Sequence, residues 1–345
     1  MNGFGFSRHG GASELGFFEV PEPEPGPGEV RIAIRAASFN RLDRFVLQGI
    51  PGVPVGLPHV LGSDGAGVVD RLGSGVEGLS LGDSVLFNPG LWDASCEACR
   101  AGQEALCRSF RIVGEHTQGS AAPFVTVPSR NVHAMPSGWS YGEAASVPLV
   151  FQTAWRALRT VGALQAGESV AIVGSGGAVN PAAIQVAKAS GARVVVVARN
   201  LDKAERCRAM GADDVLAFDD GRPLDRVLWE WSGKRGVDVI FDSVGAPTVG
   251  RSVRALARGG RVVVIGATQG PEVTIDLRTL FWRQASVRGS TMANRSEFDA
   301  VLAELSAGRL KPVVDSTYPF AKGVDAFARA GSPAVFGKVV LSVPG

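Results

Sequence analysis

The chain has 345 residues, 45% of them hydrophobic and 20% charged, which is enough apolar material for two buried cores. Thirty-five Lys and Arg against 33 Asp and Glu leave a formal charge of +2, with no basic run that would track a nucleic-acid backbone or an anionic membrane. The opening MNGFGFSRHG has no apolar signal-peptide core and no stretch approaches the roughly 18 apolar residues of a membrane span, so a cytoplasmic protein is expected.

Residues 21–30, PEPEPGPGEV, read as a stiff connector that ends where alternation begins. Val30, Ile32 and Ile34 face one way and Arg31 and Arg35 the other, which predicts a half-buried strand. A polar break at residues 38–43 and a Pro- and Gly-rich loop through Pro58 follow, and loops after strands are where sites are usually built. From His59, short β-type runs separated by Gly-Asp and Gly-Ser turns predict a small, curved β-domain. Residues 88–107, NPGLWDASCEACRAGQEALC, are a polar excursion without apolar periodicity, so something other than a core must hold them. Four cysteines make no disulfide framework here, and three of them, Cys96, Cys99 and Cys107, lie within twelve positions, a spacing suited to a metal. Strands are expected again at residues 122–127 and 131–135, and residues 141–160 read as one helix.

Residues 169–200 read as strand, glycine-rich loop, helix, strand. Such a unit presents the free N–H groups and dipole of a helix start at the carboxyl edge of a parallel strand, where they attract a phosphate. Further strands are predicted at 215–218, 237–241, 261–266 and 286–289, with helices over 201–210, 225–231 and 249–257. Alternation of this kind builds a parallel, doubly wound sheet. One more helix is expected over 297–307, and the final FGKVVLSV returns to the β-domain. The expected division is therefore 1–150 with 291–345, and 151–290.

In chain order, AASFNRLD, PHVLGSDGAGVV, NPGL with its cysteines, AGESVAIVGSGG, GARVVVVARNLDKAERCRAMGADDV, GVDVIFDSVG, LARGGRVVVIGAT and FGKVVL carry a resemblance over almost the whole chain. The sequence resembles the medium-chain dehydrogenase/reductase family, on its quinone-reductase and zinc-alcohol-dehydrogenase-like side. The resemblance implies an α/β fold: a GroES-like β-rich catalytic domain built from both chain ends and a Rossmann domain between them. Zinc-dependent members place a Cys, a His and a later Cys or acid around a catalytic zinc. The matching places here hold Asn40, Ser63 and the Pro148-Leu149 region, none a good zinc ligand, so no Lewis acid is expected at the reacting carbonyl. Asp43, His59 and Asp64 are close in sequence as a different, less favoured metal set. Asp93, Cys96, Cys99 and Cys107 match the family's structural-zinc spacing, with Asp93 in place of the first Cys; a structural zinc and an empty thiol cluster both fit. Cys207 reads as a bystander.

The resemblance also places the phosphate loop on Gly174, Ser175, Gly176, Gly177, Ala178, Val179 and Asn180. Ala178 and Asn180 stand where members usually carry glycine, which takes room from a pyrophosphate. Asn180 followed by Pro181 reads as a helix N-cap with proline at the first turn, and its amide is a candidate phosphate donor. Arg199 follows the neutral Ala198, where NAD users carry an acid, and Lys203 lies one turn on; both suit a 2′-phosphate, so NADPH is the expected cofactor. Thr153, Phe218, Val244, Gly266, Ala267, Phe281, Ser290 and Lys338 match family positions along the rest of the nucleotide.

The reaction implied is hydride transfer to a quinone or to the β-carbon of an enone, with protein hydrogen bonds to the developing oxyanion in place of a metal. Asn40 is the first candidate for substrate contact and Ser63 the second. Asp43, His59 and His116 are candidate proton-relay groups. The aromatic side chains Phe45, Phe87, Trp92, Phe124 and Phe281 are candidate walls for a flat ligand or plain core. A homodimer is expected. An alcohol dehydrogenase with a rebuilt metal site and a non-redox small-molecule binder are the competing readings.

Overall fold

The computed structural model describes residues 1–344, which divide into two compact units. The first takes Met1–Val150, Asn294–Ser306 and the chain from Lys311 onward; the second takes Phe151–Ala293 and Ala307–Leu310.

In the first unit a seven-stranded sheet runs in the order Val132–Ala134, Ser84–Phe87, Asp64–Leu72, Glu29–Phe39, Lys338–Ser342, Val314–Pro319, with Phe124–Pro128 also paired to Glu29–Phe39. The strand Glu29–Phe39 is central, and this corrects the half-buried expectation. Val30, Ile32 and Ile34 are fully buried, but Arg31 on the other face is only 3% exposed. Its guanidinium is neutralised there by Asp70 and lies over the Phe124 ring at 4.6 Å. A buried cation persists when it is paired in this way.

Register decides which side chains meet at one end of this sheet. Ser38 pairs with Asp64 and Phe39 with Val339, so Asn40, Asp64 and Lys338 arrive at neighbouring strand ends. Strands lie about 4.8 Å apart, within reach of long polar side chains. Gly337 holds the last of these strands in place: its φ is +105°, and a Cβ there would lie 2.5 Å from the Val313 carbonyl oxygen. That same carbonyl accepts the Lys338 N–H at 2.8 Å.

In the second unit six parallel strands run in the order Asp214–Ala217, Arg193–Ala198, Ser169–Val173, Val237–Asp242, Leu256–Val264, Ser286–Gly289. The two central strands are buried along their whole length, Ser169–Val173 and Val237–Asp242 alike, as parallel strands in the middle of such a sheet are. At the amino ends of the strands, Arg261 makes a two-pronged pair with Glu168 at 2.6 Å and donates to the Ala163 carbonyl at 3.0 Å.

The predicted α/β class holds, with two local differences. The single helix expected over 141–160 is split into Tyr141–Ala145 and Pro148–Trp155, followed by a π-helical turn, Arg156–Val161. Pro148 forces the break, because proline excludes helical backbone in the residue before it. The helix after the phosphate loop starts at Val179, so Asn180 and Pro181 lie inside its first turn, and Ala178 rather than Asn180 is the N-cap.

Candidate active site and metal-ligand lobe

Asn40 ends the central strand and begins the helix Arg41–Gln48, whose Asp43 accepts the Asn40 N–H at 2.6 Å and the Gly62 N–H at 2.7 Å. Lys338 Nζ lies 2.6 Å from both Asn40 Oδ1 and Asp64 Oδ2, Asn40 Nδ2 donates to the same carboxylate oxygen at 2.9 Å, and the Leu149 N–H meets Asp64 Oδ1 at 2.8 Å. Lys338 is 1% exposed, Asp64 and Asp43 are fully buried, and Asn40 is 7% exposed. Ser63 is also fully buried, and its Oγ has no hydrogen-bond partner among the described residues. Burial pushes the Asp43 carboxyl up to about 6 against the pull of its two backbone donors. Glu115 is pushed to about 7, first by burial and then by the Asp43 charge, and it lines a small cavity with His9, Val46, Ile50, Val53 and Val55.

The predicted proton-relay histidines lie elsewhere. His59 is 2% exposed, with Nε2 3.0 Å from the Gly114 carbonyl oxygen and its ring packed on Phe6, and burial lowers its pKa. His116 Nδ1 accepts the Ile112 N–H at 3.2 Å, holding a turn. Asp43 and Asp64 thus share one network through Asn40, and the His59 ring bonds elsewhere. Among the aromatics, Phe87 is wholly core and Trp92 is buried, whereas Phe281 is 65% exposed.

The excursion is closed at its base by pairing of Gly90–Leu91 with Arg111–Ile112. Asp93, Cys96, Cys99 and Cys107 each offer a ligand atom, all within 4.8 Å of one another. One Asp93 oxygen accepts the Ser95 and Cys96 N–H groups at 2.7 and 2.8 Å, which holds its pKa well below the usual carboxylate range and aims the carboxylate inward. Burial, then the Cys96 and Cys107 thiols, push Cys99 up to about 12; crowded thiols of this kind ionise together only around a cation.

At the carboxyl edge of the second unit's sheet, the predicted nucleotide positions follow the ends of successive strands. Gly174 follows Val173, Arg199 follows Ala198, Phe218 follows Ala217 and Ser290 follows Gly289, while Val244, Gly266 and Ala267 come two or three residues after Asp242 and Val264. Gly177 has φ +73°, and a Cβ there would meet nothing within 4 Å, so the loop has an open face. Arg199 is exposed.

Two family descriptions match the chain: alcohol dehydrogenase GroES-like domain over residues 26–137 and zinc-binding dehydrogenase over 178–307. An acryloyl-coenzyme A reductase from Metallosphaera sedula is 33% identical over 311 residues, 87% of each chain. The protein belongs to the medium-chain dehydrogenase/reductases. Among solved structures, an NAD-dependent alcohol dehydrogenase superposes with TM-score 0.94 at 39% identity over 100% of both chains. A 2-octenoyl-CoA carboxylase reductase in complex with NADP and 2-octenoyl-CoA gives TM-score 0.89 at 29% identity over 96% of this chain and 82% of that one.

As a medium-chain dehydrogenase/reductase the protein is an oxidoreductase of an NAD(P)-dependent family. Its second unit fits a dinucleotide: besides the open loop, Ser290 Oγ is buried without a partner among the described residues, an unmet demand that a ligand oxygen would satisfy. The Asn180 amide is not turned to a phosphate, however. Its nitrogen donates to the Gly174 carbonyl at 2.9 Å and the Val173 carbonyl at 3.2 Å, because its place inside the first turn points it back under the loop. Cys207, read from sequence as a bystander, supports the loop too, with Sγ 3.6 Å from the Ser175 oxygen. Lys338, expected along the nucleotide, spends its ammonium on Asn40 and Asp64 inside the first unit. The lobe fits tetrahedral zinc as well, since Zn–S bonds of about 2.3 Å set ligand atoms about 3.8 Å apart.

Sequence reasoning missed two features of this medium-chain dehydrogenase/reductase. It named Asp64 only as part of a disfavoured metal set and did not name Glu115. No sequence signal marked Glu115. For Asp64, a lone lysine opening the last buried strand was the available hint, since such a charge needs an acid.

Proposed function

We propose that the protein uses NADPH to reduce a conjugated carbonyl compound, a quinone, enone or enoyl thioester, without a catalytic zinc. The observation that carries this reading is the Asn40–Asp64–Lys338 network. Where zinc-dependent members place Cys and His, this chain has an amide and the Ser63 hydroxyl, and the acid beside them is already neutralised by Lys338. Bound NADPH supplies a hydride from its nicotinamide ring to the acceptor's β-carbon. The loop after Val173 offers backbone N–H groups to the pyrophosphate, and Arg199 with Lys203 gives the 2′-phosphate its counter-charge. With no metal at the carbonyl, neutral polar groups must meet the charge that builds on its oxygen. The names of the acryloyl-CoA and 2-octenoyl-CoA reductases support a conjugated acceptor.

In the same reading Asp93, Cys96, Cys99 and Cys107 hold a structural zinc. The protein works as a homodimer, joined along the strand Ser286–Gly289, which pairs on one side only. The test is fluorescence titration with NADPH and NADH, then turnover on crotonyl-CoA, 3-penten-2-one and 1,4-naphthoquinone. Tighter NADPH binding that Arg199→Glu abolishes, with turnover of at least one acceptor, is expected. Equal NADH affinity together with ethanol oxidation would instead favour the alcohol dehydrogenase reading, the activity named for the neighbour at 39% identity.

A further inference from the structure

We propose that Lys338 and Asp64 are positioning residues that lock the Asn40 amide so that one of its N–H bonds meets the carbonyl oxygen of the acceptor. The inference rests on the reductase reading above and names how that site handles the oxygen.

The orientation of the amide follows from its neighbours. An ammonium has donors and no acceptor, so the Asn40 atom 2.6 Å from Lys338 Nζ is Oδ1; the other, 2.9 Å from Asp64 Oδ2, is then Nδ2. A flipped amide would set its NH2 against the ammonium and its oxygen against the carboxylate, two repulsions in a place almost without water. Asp64 is held from three sides: one oxygen takes the Leu149 N–H, the other takes Lys338 and one Asn40 hydrogen. The backbone of Asn40 is fixed as well, through its N–H on Asp43. The carboxamide therefore has one conformation available.

The second hydrogen on Asn40 Nδ2 has no partner among the described residues, on a side chain 7% exposed. Buried donors in native structures are satisfied, so this one calls for an acceptor that arrives with a ligand. As hydride reaches the β-carbon, the C=C π pair shifts to make an enolate and negative charge gathers on the carbonyl oxygen; solvent then supplies a proton at the α-carbon. A fixed donor at that oxygen favours the transition state over the ground state, whereas a freely rotating amide would lose most of that advantage to reorganisation. The Lys338–Asp64 pair has no net charge, so it orients the donor without neutralising the developing anion.

The test is a double-mutant cycle with Asn40→Ala and Lys338→Met, assayed with NADPH on whichever of crotonyl-CoA and 3-penten-2-one the wild type turns over. Asn40→Ala is expected to lower kcat by about 100-fold, in the range for loss of one oxyanion donor, with KM for NADPH unchanged. Lys338→Met should lower kcat by about 10-fold or more alone and by nothing further in the Asn40→Ala background. If Lys338→Met does not fold, Lys338→Gln carries the same comparison, since its amide still donates to Asn40 and Asp64; it should fold and recover part of kcat. Losses that multiply in the double variant, or an Asn40→Ala enzyme with wild-type kcat, would overturn the proposal and leave the reductase reading standing. A wild type inert toward both acceptors would overturn the proposal, and inertness toward 1,4-naphthoquinone as well would remove the reading itself.

Discussion

Glu115 shows how a single carboxyl sets a pH limit. Burial and the nearby Asp43 raise its folded pKa from 4.5 to about 7; His116 Nδ1 is 3.7 Å from its carboxylate, and burial, then Arg111, lowers the pKa of that imidazole. A carboxyl whose folded pKa is raised favours the protonated fold, so stability falls as pH climbs from about 4.5 through 7, and the full penalty is present above that. Glu115→Gln should therefore match the wild type near pH 5 and exceed it in Tm at pH 8, as thermal melts at the two values would show. A variant equally displaced at both would mean that Glu115 is not titrating. The sequence offered no sign of this residue, because its character comes from burial and then from Asp43, far off along the chain. Lys338 is the same case at greater range: it lies 298 positions from Asn40, and only strand register joins them.

At the scale of elements, local pattern was informative where packing agreed with it. The strand over 286–289 and the helices near 225–231 and 249–257 lie within two residues of their predicted bounds, since periodicity and glycine punctuation mark such units directly. The phosphate loop was legible as a position but not as a hydrogen-bond pattern. Whether Asn180 faces a ligand or its own loop depends on a two-residue shift of the helix start, which capping rules do not resolve. The opposite edge of that sheet depends on Arg261. Arg261→Ala would strip Glu168 and the Ala163 carbonyl of their partner, and a loss of about 2–4 kcal/mol in chemical denaturation is expected. The lobe is a separate element with its own support. Stripping metal with a strong chelator should expose Arg100 and Arg108 to trypsin, while the nucleotide-binding unit stays resistant. One zinc per chain by elemental analysis is the matching observation for the untreated protein.

For the whole molecule, no described helix is long and apolar enough to cross a membrane, and one stretch of chain carries several exposed apolar side chains. Val273, Leu277, Phe281, Trp282 and Val287 are all exposed, and this stretch of chain runs into Ser286–Gly289, the last strand of the six-stranded sheet. An exposed apolar stretch leading into an edge strand suits a second copy of the chain. Sedimentation should give twice 35.9 kDa for the wild type and the single mass for Leu277→Glu/Trp282→Glu; a monomeric wild type would contradict the dimer. The chain's route also matters to anyone rebuilding the enzyme. It passes between the two units four times, at 150/151, 293/294, 306/307 and 310/311, so Ala307–Leu310 belong with a body whose main segment has already ended. A chimera that borrows another enzyme's cofactor preference by exchanging 151–293 alone would keep the recipient's short return passage. Retargeting this protein by domain exchange therefore takes two grafts, the second only four residues long.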